Sequence, residues 1–312
     1  MSNSAILSSS IAKKWWMALT GLFLCLFLVG HLIGNLQLIF VTGVEGKRAF
    51  NEYAYFMTHN IFIKIMSYAT YLSILLHAVD GILLTIKNKK SRPIKYAYNK
   101  PGANSSTSSR YMAVLGSAIL IFIVMHMSSF WAVMHFDEGL ALHTEKTFNP
   151  VRDAQTGKIK DTIQDAYYTT SGDYLPVSGV VVKDKTILYR NTELVSNEIR
   201  SQIDPTYTEA GENPPLGEAY KDLHSLTLAY FGKDLSSDGF PPNKYALIAV
   251  ALYVLAMLVL CFHLWHGFSS AFQSLGINHK KYNNLISMFG KSFSVIVPLA
   301  FAIIPLLIYY NK

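Results

Sequence analysis

The chain has 312 residues, of which 51% are hydrophobic and only 15% are charged. Soluble globular proteins carry about a quarter charged residues, so this composition excludes an ordinary soluble domain. The net charge is +7, but acidic and basic residues are separated along the chain. Seventeen of the 20 acidic residues lie within 137–238, which has a net charge of −7, whereas the remainder has a net charge of +14. This separation predicts an apolar, basic scaffold with one long acidic insertion.

Five apolar runs are each long enough to cross a bilayer, which takes about 20 helical residues. The first run is longer than the apolar core of a signal peptide, roughly 7–15 residues, and no small-residue cleavage site follows it. We therefore predict an all-α membrane protein with five transmembrane helices. The runs cover residues 15–41, 62–86, 111–134, 245–268 and 293–310. The predicted organisation is helices one to three in 1–136, a polar extracytoplasmic insertion in 137–243, and helices four and five in 244–312.

Lysine and arginine are distributed unevenly between the short loops. The segment before the first run and the loops 87–110 and 276–292 are rich in them, whereas few lie between the first two runs. Cytoplasmic loops carry the excess of positive charge, so we predict a cytoplasmic N-terminus and an extracytoplasmic C-terminus. Because these residues flank apolar runs and form no single patch, membrane lipid is the expected partner and nucleic acid is not.

The insertion is long enough to be a small domain or a functional element. Its sequence predicts two short strands, at 177–182 and 186–189, and an amphipathic segment at 216–231. It contains no recognisable catalytic motif. The two cysteines, Cys25 and Cys261, lie in apolar runs outside it and form no metal-binding or disulfide pattern.

Histidines occur in four of the five predicted spans. A polar side chain in hydrocarbon is costly without a partner. One such histidine is explained by a hydrogen bond to a neighbouring helix, but a histidine in each of four spans favours a shared function. They are His31, His77, His126, and His263 with His266.

The depths of these histidines predict two pairs. At about 1.5 Å per residue, His31 and His126 lie roughly 25 Å from the basic edge of their spans, and His77 and His263 lie roughly 15–20 Å from it. Two neutral imidazoles in apolar surroundings are the axial ligands of a six-coordinate haem iron. We predict one haem held by His31 and His126 and a second held by His77 and His263, which together form an electron path.

A glycine follows two of the histidines after four residues: Gly81 follows His77, and Gly267 follows His263. A glycine one turn from a ligand leaves the helix face bare, so that a porphyrin can lie flat against it. Ordinary small-residue helix packing produces the same spacing. We assign Gly81 and Gly267 to the haem sites.

The order of these motifs resembles a known family. H-L-x-x-N at His31, H-A-V-x-G at His77, a lone histidine in the third span and H-x-x-x-G at His263 are similar to the single-chain, five-helix, di-haem cytochrome b anchor of succinate dehydrogenase and fumarate reductase (succinate:menaquinone oxidoreductase). The resemblance covers all five spans and stops at the insertion, which is longer than the family usually shows. It implies the same histidine pairs and prefers His263 to His266 as the ligand.

The resemblance also implies a location in a bacterial inner membrane, and it implies the cofactors and partners. These are two b haems, a quinone substrate (menaquinone in this family), and two subunits on the cytoplasmic face: a flavoprotein with FAD and an iron–sulfur protein. The chain has no dinucleotide-binding glycine motif and no cysteine cluster, which agrees with an anchor and electron-transfer role in a larger enzyme.

Quinone chemistry needs a group that transfers protons. In the family, an acidic residue near the outer end of the first two spans has this role, and Glu52 is the matching candidate here. Glu45 competes with it, and a solvated loop glutamate explains Glu52 equally well. Asp80, three residues after His77, has no counterpart in the resemblance and no assigned role.

Two other functions stay open at the level of the sequence. One is the cytochrome b anchor of a different quinone-linked dehydrogenase or of a hydrogenase. The other is a transporter in which the histidines form a proton relay. Partner subunits distinguish the two cytochromes, and haem absorbance distinguishes either of them from a transporter.

Overall fold

The computed structural model describes residues 9–91, 94, 100, 103, 105–152, 159–178, 180–183, 185–189, 215–233 and 239–311. It is mostly helical, and five of its helices are long and apolar enough to cross a membrane. The prediction of an all-α, multi-pass membrane protein with five spans is confirmed. Large apolar side chains such as Leu26, Ile121 and Leu285 remain exposed on the outer faces of the helices, as expected where lipid surrounds the protein.

The spans are formed by α1 (Ser10–Phe40), α3 (Ile61–Lys90), a composite third helix, α8 (Ala246–Ser274) and α9 (Lys280–Asn311). The composite third helix consists of α5 (Met112–His126), a π-helical turn (Met127–Trp131) and α6 (Ala132–Phe136). The shorter helices are α2 (Gly43–His59), α4 (Thr107–Arg110) and α7 (Leu223–Phe231).

Local chemistry sets the ends of these helices. The Ser9 hydroxyl caps α1 by accepting a hydrogen bond from a backbone N–H of the first turn, and the Asn60 side chain caps α3 in the same way. Gly276 follows α8 with a φ of 82°, a left-handed conformation that glycine adopts readily at a helix C-terminus. The fifth helix begins earlier than the predicted 293 because residues 280–292, a mixture of polar and apolar side chains, form its first turns before the apolar run.

Consecutive spans are antiparallel, as shown by α1 and α3, where Gly21 faces His77 and Gly81 faces Met17. The bundle therefore has two ends. We call the end where α1 finishes and α3 begins the insertion end. The opposite end, where α3 finishes and α5 begins, is the basic end.

The insertion contains two antiparallel sheets of three strands. The first has β1 (Thr144–Arg152), β2 (Ile159–Tyr168) and β3 (Tyr174–Pro176) in that order, and the second has β4 (Val180–Lys183), β5 (Thr186–Tyr189) and β6 (Pro215–Glu218). The predicted strands correspond to the β4–β5 hairpin, whereas the longer β1–β2 hairpin was not predicted. The predicted amphipathic segment 216–231 is divided between β6 and α7.

Helix α2 was expected to be a loop, and it instead lies between the bundle and the insertion. Its Lys47 Nζ is 2.9 Å from Asp222 Oδ2, and its Asn51 Nδ2 donates to Asp222 Oδ1 at 2.9 Å. The backbone N–H of His224 donates in turn to Asn51 Oδ1. Asn51 and Asp222 are fully buried, so this contact is a desolvated ion pair with its remaining hydrogen bonds satisfied.

His143 continues this polar contact toward the sheets. Asn51 Nδ2 lies 3.2 Å from His143 Nδ1, and His143 Nε2 lies 3.0 Å from Glu145 Oε1. Burial lowers the pKa of His143, and a neutral ring with its proton on Nε2 leaves Nδ1 to accept a hydrogen bond from Asn51. Burial raises the pKa of Glu145, but hydrogen bonds, the strongest from Arg48, outweigh this effect and lower it below its ordinary value.

The buried ion pair predicts a large effect of Asp222→Asn. The substitution leaves the Lys47 cation buried without its carboxylate, which costs about 3–5 kcal/mol of unfolding free energy. We expect a clear fall in the thermal unfolding midpoint of the detergent-purified protein. Asp165→Asn is the matched control, because its pair with Lys146 is mostly exposed and 3.4 Å long; it should cost about 0.5 kcal/mol or less. Equal midpoints for the two variants would contradict a structural role for the buried pair.

Candidate functional site

A cavity of about 2210 Å³ extends along the inside of the bundle from the basic end to the insertion end. Pockets for one small ligand usually measure about 300–1,000 Å³, so this cavity has room for more than one group. Its wall is mainly apolar and comes from α1, α3, the composite third helix and α8. Residues of α2 and of the insertion complete it at the insertion end. The four predicted ligand histidines all line it: His31, His77, His126 and His263.

The first pair lies nearer the insertion end. The ring centres of His31 and His126 are 5.7 Å apart, and the rings are nearly perpendicular at 81°. His126 Nδ1 lies 3.1 Å from the hydroxyl of Tyr253 on α8, and Asn35 Nδ2 lies 3.5 Å from His31 Nδ1. Because these contacts engage Nδ1, they leave Nε2 of each ring for the cavity.

The second pair lies nearer the basic end. The ring centres of His77 and His263 are 6.2 Å apart with an interplanar angle of 65°. His77 Nδ1–H donates to the carbonyl of Met17 at 3.2 Å, which fixes the tautomer with an unprotonated Nε2. His263 Nδ1 is buried and has no hydrogen-bond partner among the residues that the structure describes.

The spacing of both pairs fits a metal held between two imidazoles. A bond from a metal to an imidazole nitrogen is about 2 Å, so two such bonds separate the ring centres by roughly 6 Å. In the described part of the chain, no group of three or more His, Cys, Asp or Glu side chains could hold a bare metal ion. Protein zinc sites need three or four ligands from the chain. A histidine pair alone therefore fits a haem iron, whose planar macrocycle supplies the other ligands.

The two predicted glycines lie on the cavity wall. A Cβ added to Gly81 would lie 3.9 Å from Met17 Cε, and one added to Gly267 would lie 3.8 Å from Met112 Cε. At each position the added Cβ would thus make ordinary van der Waals contact with the end of a methionine side chain.

Two further glycines, which sequence reasoning missed, accommodate the imidazoles of the second pair. A Cβ on Gly21 would lie 3.1 Å from His77 Cε1, and one on Gly116 would lie 3.6 Å from His263 Cε1. Each glycine is on the helix that packs against a ligand histidine. Close approach of neighbouring helices through small residues is common in membranes. At Gly21 an added Cβ would crowd the His77 ring, whereas at Gly116 it would make ordinary contact with His263.

His266 lies one turn after His263 and also lines the cavity. Both histidines are half-buried, and the ring that faces His77 is that of His263, the histidine that the resemblance favours as the ligand.

The acidic candidates lie away from the cavity wall. Glu52, on α2, accepts a hydrogen bond from the hydroxyl of Tyr168 on β2 at 2.7 Å, and it is not among the residues that line the cavity. Glu45 is exposed. Asp80 is half-buried and also does not belong to the wall. Glu52 lies at the insertion end of the bundle, as expected. Its carboxylate, however, contacts β2 of the insertion and does not line the cavity.

Comparison with models of protein families, with curated proteins and with solved structures finds no match to this chain.

Proposed function

We propose that this chain is the membrane-anchor and electron-transfer subunit of a succinate:quinone oxidoreductase in a bacterial inner membrane. The observation that carries the proposal is two histidine pairs, each from two helices and each with ring centres about 6 Å apart, in one apolar cavity. The resemblance of the histidine motifs to the di-haem cytochrome b anchors supports the assignment.

The proposed cofactors are two b haems, one for each histidine pair. Haem b would supply a reversible one-electron carrier inside the apolar cavity. The chain's contribution is to fix the ligands: the Met17 carbonyl orients His77, and the Tyr253 hydroxyl orients His126. Such partners of a ligand's second nitrogen set its tautomer and its basicity. Gly81 and Gly267 line the cavity, and we assign them to the helix surfaces against which the porphyrins would pack.

The proposed partners dock at the basic end, which we assign to the cytoplasm. Exposed lysines of α3 and α9 lie there, and the loop between α3 and α5 adds further basic residues. A flavoprotein with FAD and an iron–sulfur subunit would supply the dicarboxylate chemistry that this chain lacks. Copurification of these two subunits distinguishes this function from that of an anchor for another quinone-linked dehydrogenase or a hydrogenase.

The proposed substrate of the membrane subunit is a quinone, with menaquinone as the type that the resemblance favours. We place it at the insertion end, beside the His31/His126 pair, because the basic end is assigned to the partner subunits. The prediction that Glu52 transfers protons there stays a prediction, since its carboxylate contacts Tyr168 and does not line the cavity.

Single histidine substitutions test the pairing. His31→Ala and His126→Ala should each remove the same haem component from the reduced-minus-oxidised spectrum, and His77→Ala and His263→Ala should each remove the other, because an axial ligand is lost in every case. Spectra of the purified complex at a known protein concentration measure this. Loss of one and the same component in His31→Ala and His77→Ala would contradict the pairing.

His266→Leu tests which histidine of α8 is the ligand. We expect both haem components to be retained, with at most a shift in potential, because His266 does not pair with His77. His263→Leu is the matched variant and should remove the component that it shares with His77. The reverse result would show that the ligand is one helical turn further along α8.

Glu52→Gln decides between a chemical and a structural role for this residue. If Glu52 transfers protons, quinone-coupled turnover should fall by roughly 10²-fold, while both haem spectra and succinate oxidation with a soluble acceptor persist. If Glu52 serves only to accept the Tyr168 hydrogen bond, the variant should keep its quinone turnover and unfold at a slightly lower temperature. Parallel assays with menaquinone and with the soluble acceptor separate the two outcomes.

A further inference from the structure

The hydroxyl of Tyr53 is a polar group in a mainly apolar cavity wall. Tyr53 lies on α2, is half-buried and lines the cavity near the insertion end. In the part of the chain that the structure describes, its hydroxyl forms no hydrogen bond. Among the same residues, the unpaired side-chain atoms that solvent cannot reach belong to side chains other than Tyr53. The hydroxyl oxygen is therefore accessible. Burial raises the pKa of Tyr53, so the hydroxyl keeps its proton and can donate a hydrogen bond.

Gly34 of α1 shows where this hydroxyl points. A Cβ added to Gly34 would lie 2.5 Å from Tyr53 Oη and 2.6 Å from Tyr53 Cε1, so the hydroxyl occupies the space directly in front of the glycine. Gly34 follows His31 by three residues, which places the two on the same face of α1, and both line the cavity. At 1.5 Å per residue, Gly34 is roughly 4.5 Å closer to the insertion end than His31. The hydroxyl therefore faces the cavity next to the His31/His126 pair.

The charges of α2 favour a neutral ligand at this hydroxyl. A carboxylate or a phosphate would be bound most strongly by a cation. The lysine and the arginine of α2 are engaged elsewhere: Lys47 pairs with Asp222, and Arg48 pairs with Glu145. Neither of these two cations lines the cavity. In ligand pockets with apolar walls, a few polar groups fix the orientation of the ligand. A neutral donor in such a wall fits an apolar molecule with a neutral acceptor.

We propose that Tyr53 is a quinone-binding residue, whose hydroxyl donates a hydrogen bond to a carbonyl oxygen of the quinone ring beside the His31/His126 pair. A quinone ring is flat and apolar, and its carbonyl oxygens accept hydrogen bonds. This inference rests on the proposed function for the identity of the ligand. It adds a residue of α2 that contacts the quinone directly, whereas the carboxylate of the neighbouring Glu52 contacts Tyr168 of the insertion.

Tyr53→Phe tests the inference because it keeps the ring and removes only the hydroxyl. The substitution breaks no hydrogen bond within the described residues, so the fold should be retained. In the intact complex, we expect the KM for menaquinone to rise roughly 3–10-fold, the loss of one hydrogen bond, with kcat changed less than the KM. Both haem components should persist. Tyr245→Phe is the matched control, since Tyr245 is largely exposed at the insertion end and outside the cavity wall; it should leave the KM unchanged.

Infrared difference spectroscopy tests the hydrogen bond itself. With menaquinone that is isotope-labelled at its carbonyl carbons, the carbonyl stretch of the bound quinone should move to higher frequency in Tyr53→Phe, because the hydrogen bond that weakens the carbonyl bond is lost. Tyr245→Phe should leave the band in place. Gly34→Ala provides a second variant, in which the tyrosine is kept but the added methyl displaces its hydroxyl; it should give the same upward shift. A residue that only supports the fold would not move this band.

The possible outcomes separate the inference from the proposed function. A wild-type complex without a reduced-haem band or without succinate:quinone activity contradicts the proposed function. If the wild-type complex has both, an unchanged KM or an unchanged carbonyl frequency in Tyr53→Phe overturns the inference alone. Loss of a haem component in Tyr53→Phe also overturns it, because the hydroxyl would then serve a haem carboxylate.

Discussion

The structure depends on the cost of placing imidazoles in an apolar interior. A polar group inside a membrane protein needs a hydrogen-bond partner. The bundle provides such a partner for three of the four histidines: Met17 for His77, Asn35 for His31 and Tyr253 for His126. All three partners engage Nδ1, so the other ring nitrogen stays available inside the cavity. The separation of about 6 Å within each pair then follows from how closely the helices approach, and at the second pair Gly21 leaves room for the His77 ring.

The insertion and the bundle form one site. Helix α2 contacts both, through the buried Lys47–Asp222 ion pair on one side and through the apolar cluster of Leu38, Phe50 and Ile308 on the other. Residues of α7 also line the cavity at the insertion end. The insertion therefore shapes the part of the cavity where we place the quinone, which gives this segment a role that the resemblance to cytochrome b anchors does not include.

The sequence was sufficient for the features that depend on hydrophobic length and on position along a helix. The five spans follow from apolar runs, and the pairs His31/His126 and His77/His263 follow from a constant rise per residue. Helix α2 was missed because its charged residues, among them Lys47 and Arg48, resemble a loop until their buried partners are known. Tyr253 and the glycines that face the histidines were missed because their roles arise only from contacts between helices.

The haem content of the purified complex is the most direct test of whether each histidine pair binds a haem. A dithionite-reduced minus oxidised spectrum, combined with a determination of protein concentration, gives the number of b haems per chain. We expect two b haems per chain. They should form two components that differ in reduction potential, because the His31/His126 pair and the His77/His263 pair have different surroundings. A complex purified from its native membrane with no reduced-haem band, or with a single b haem, would contradict the central claim that each histidine pair binds one haem.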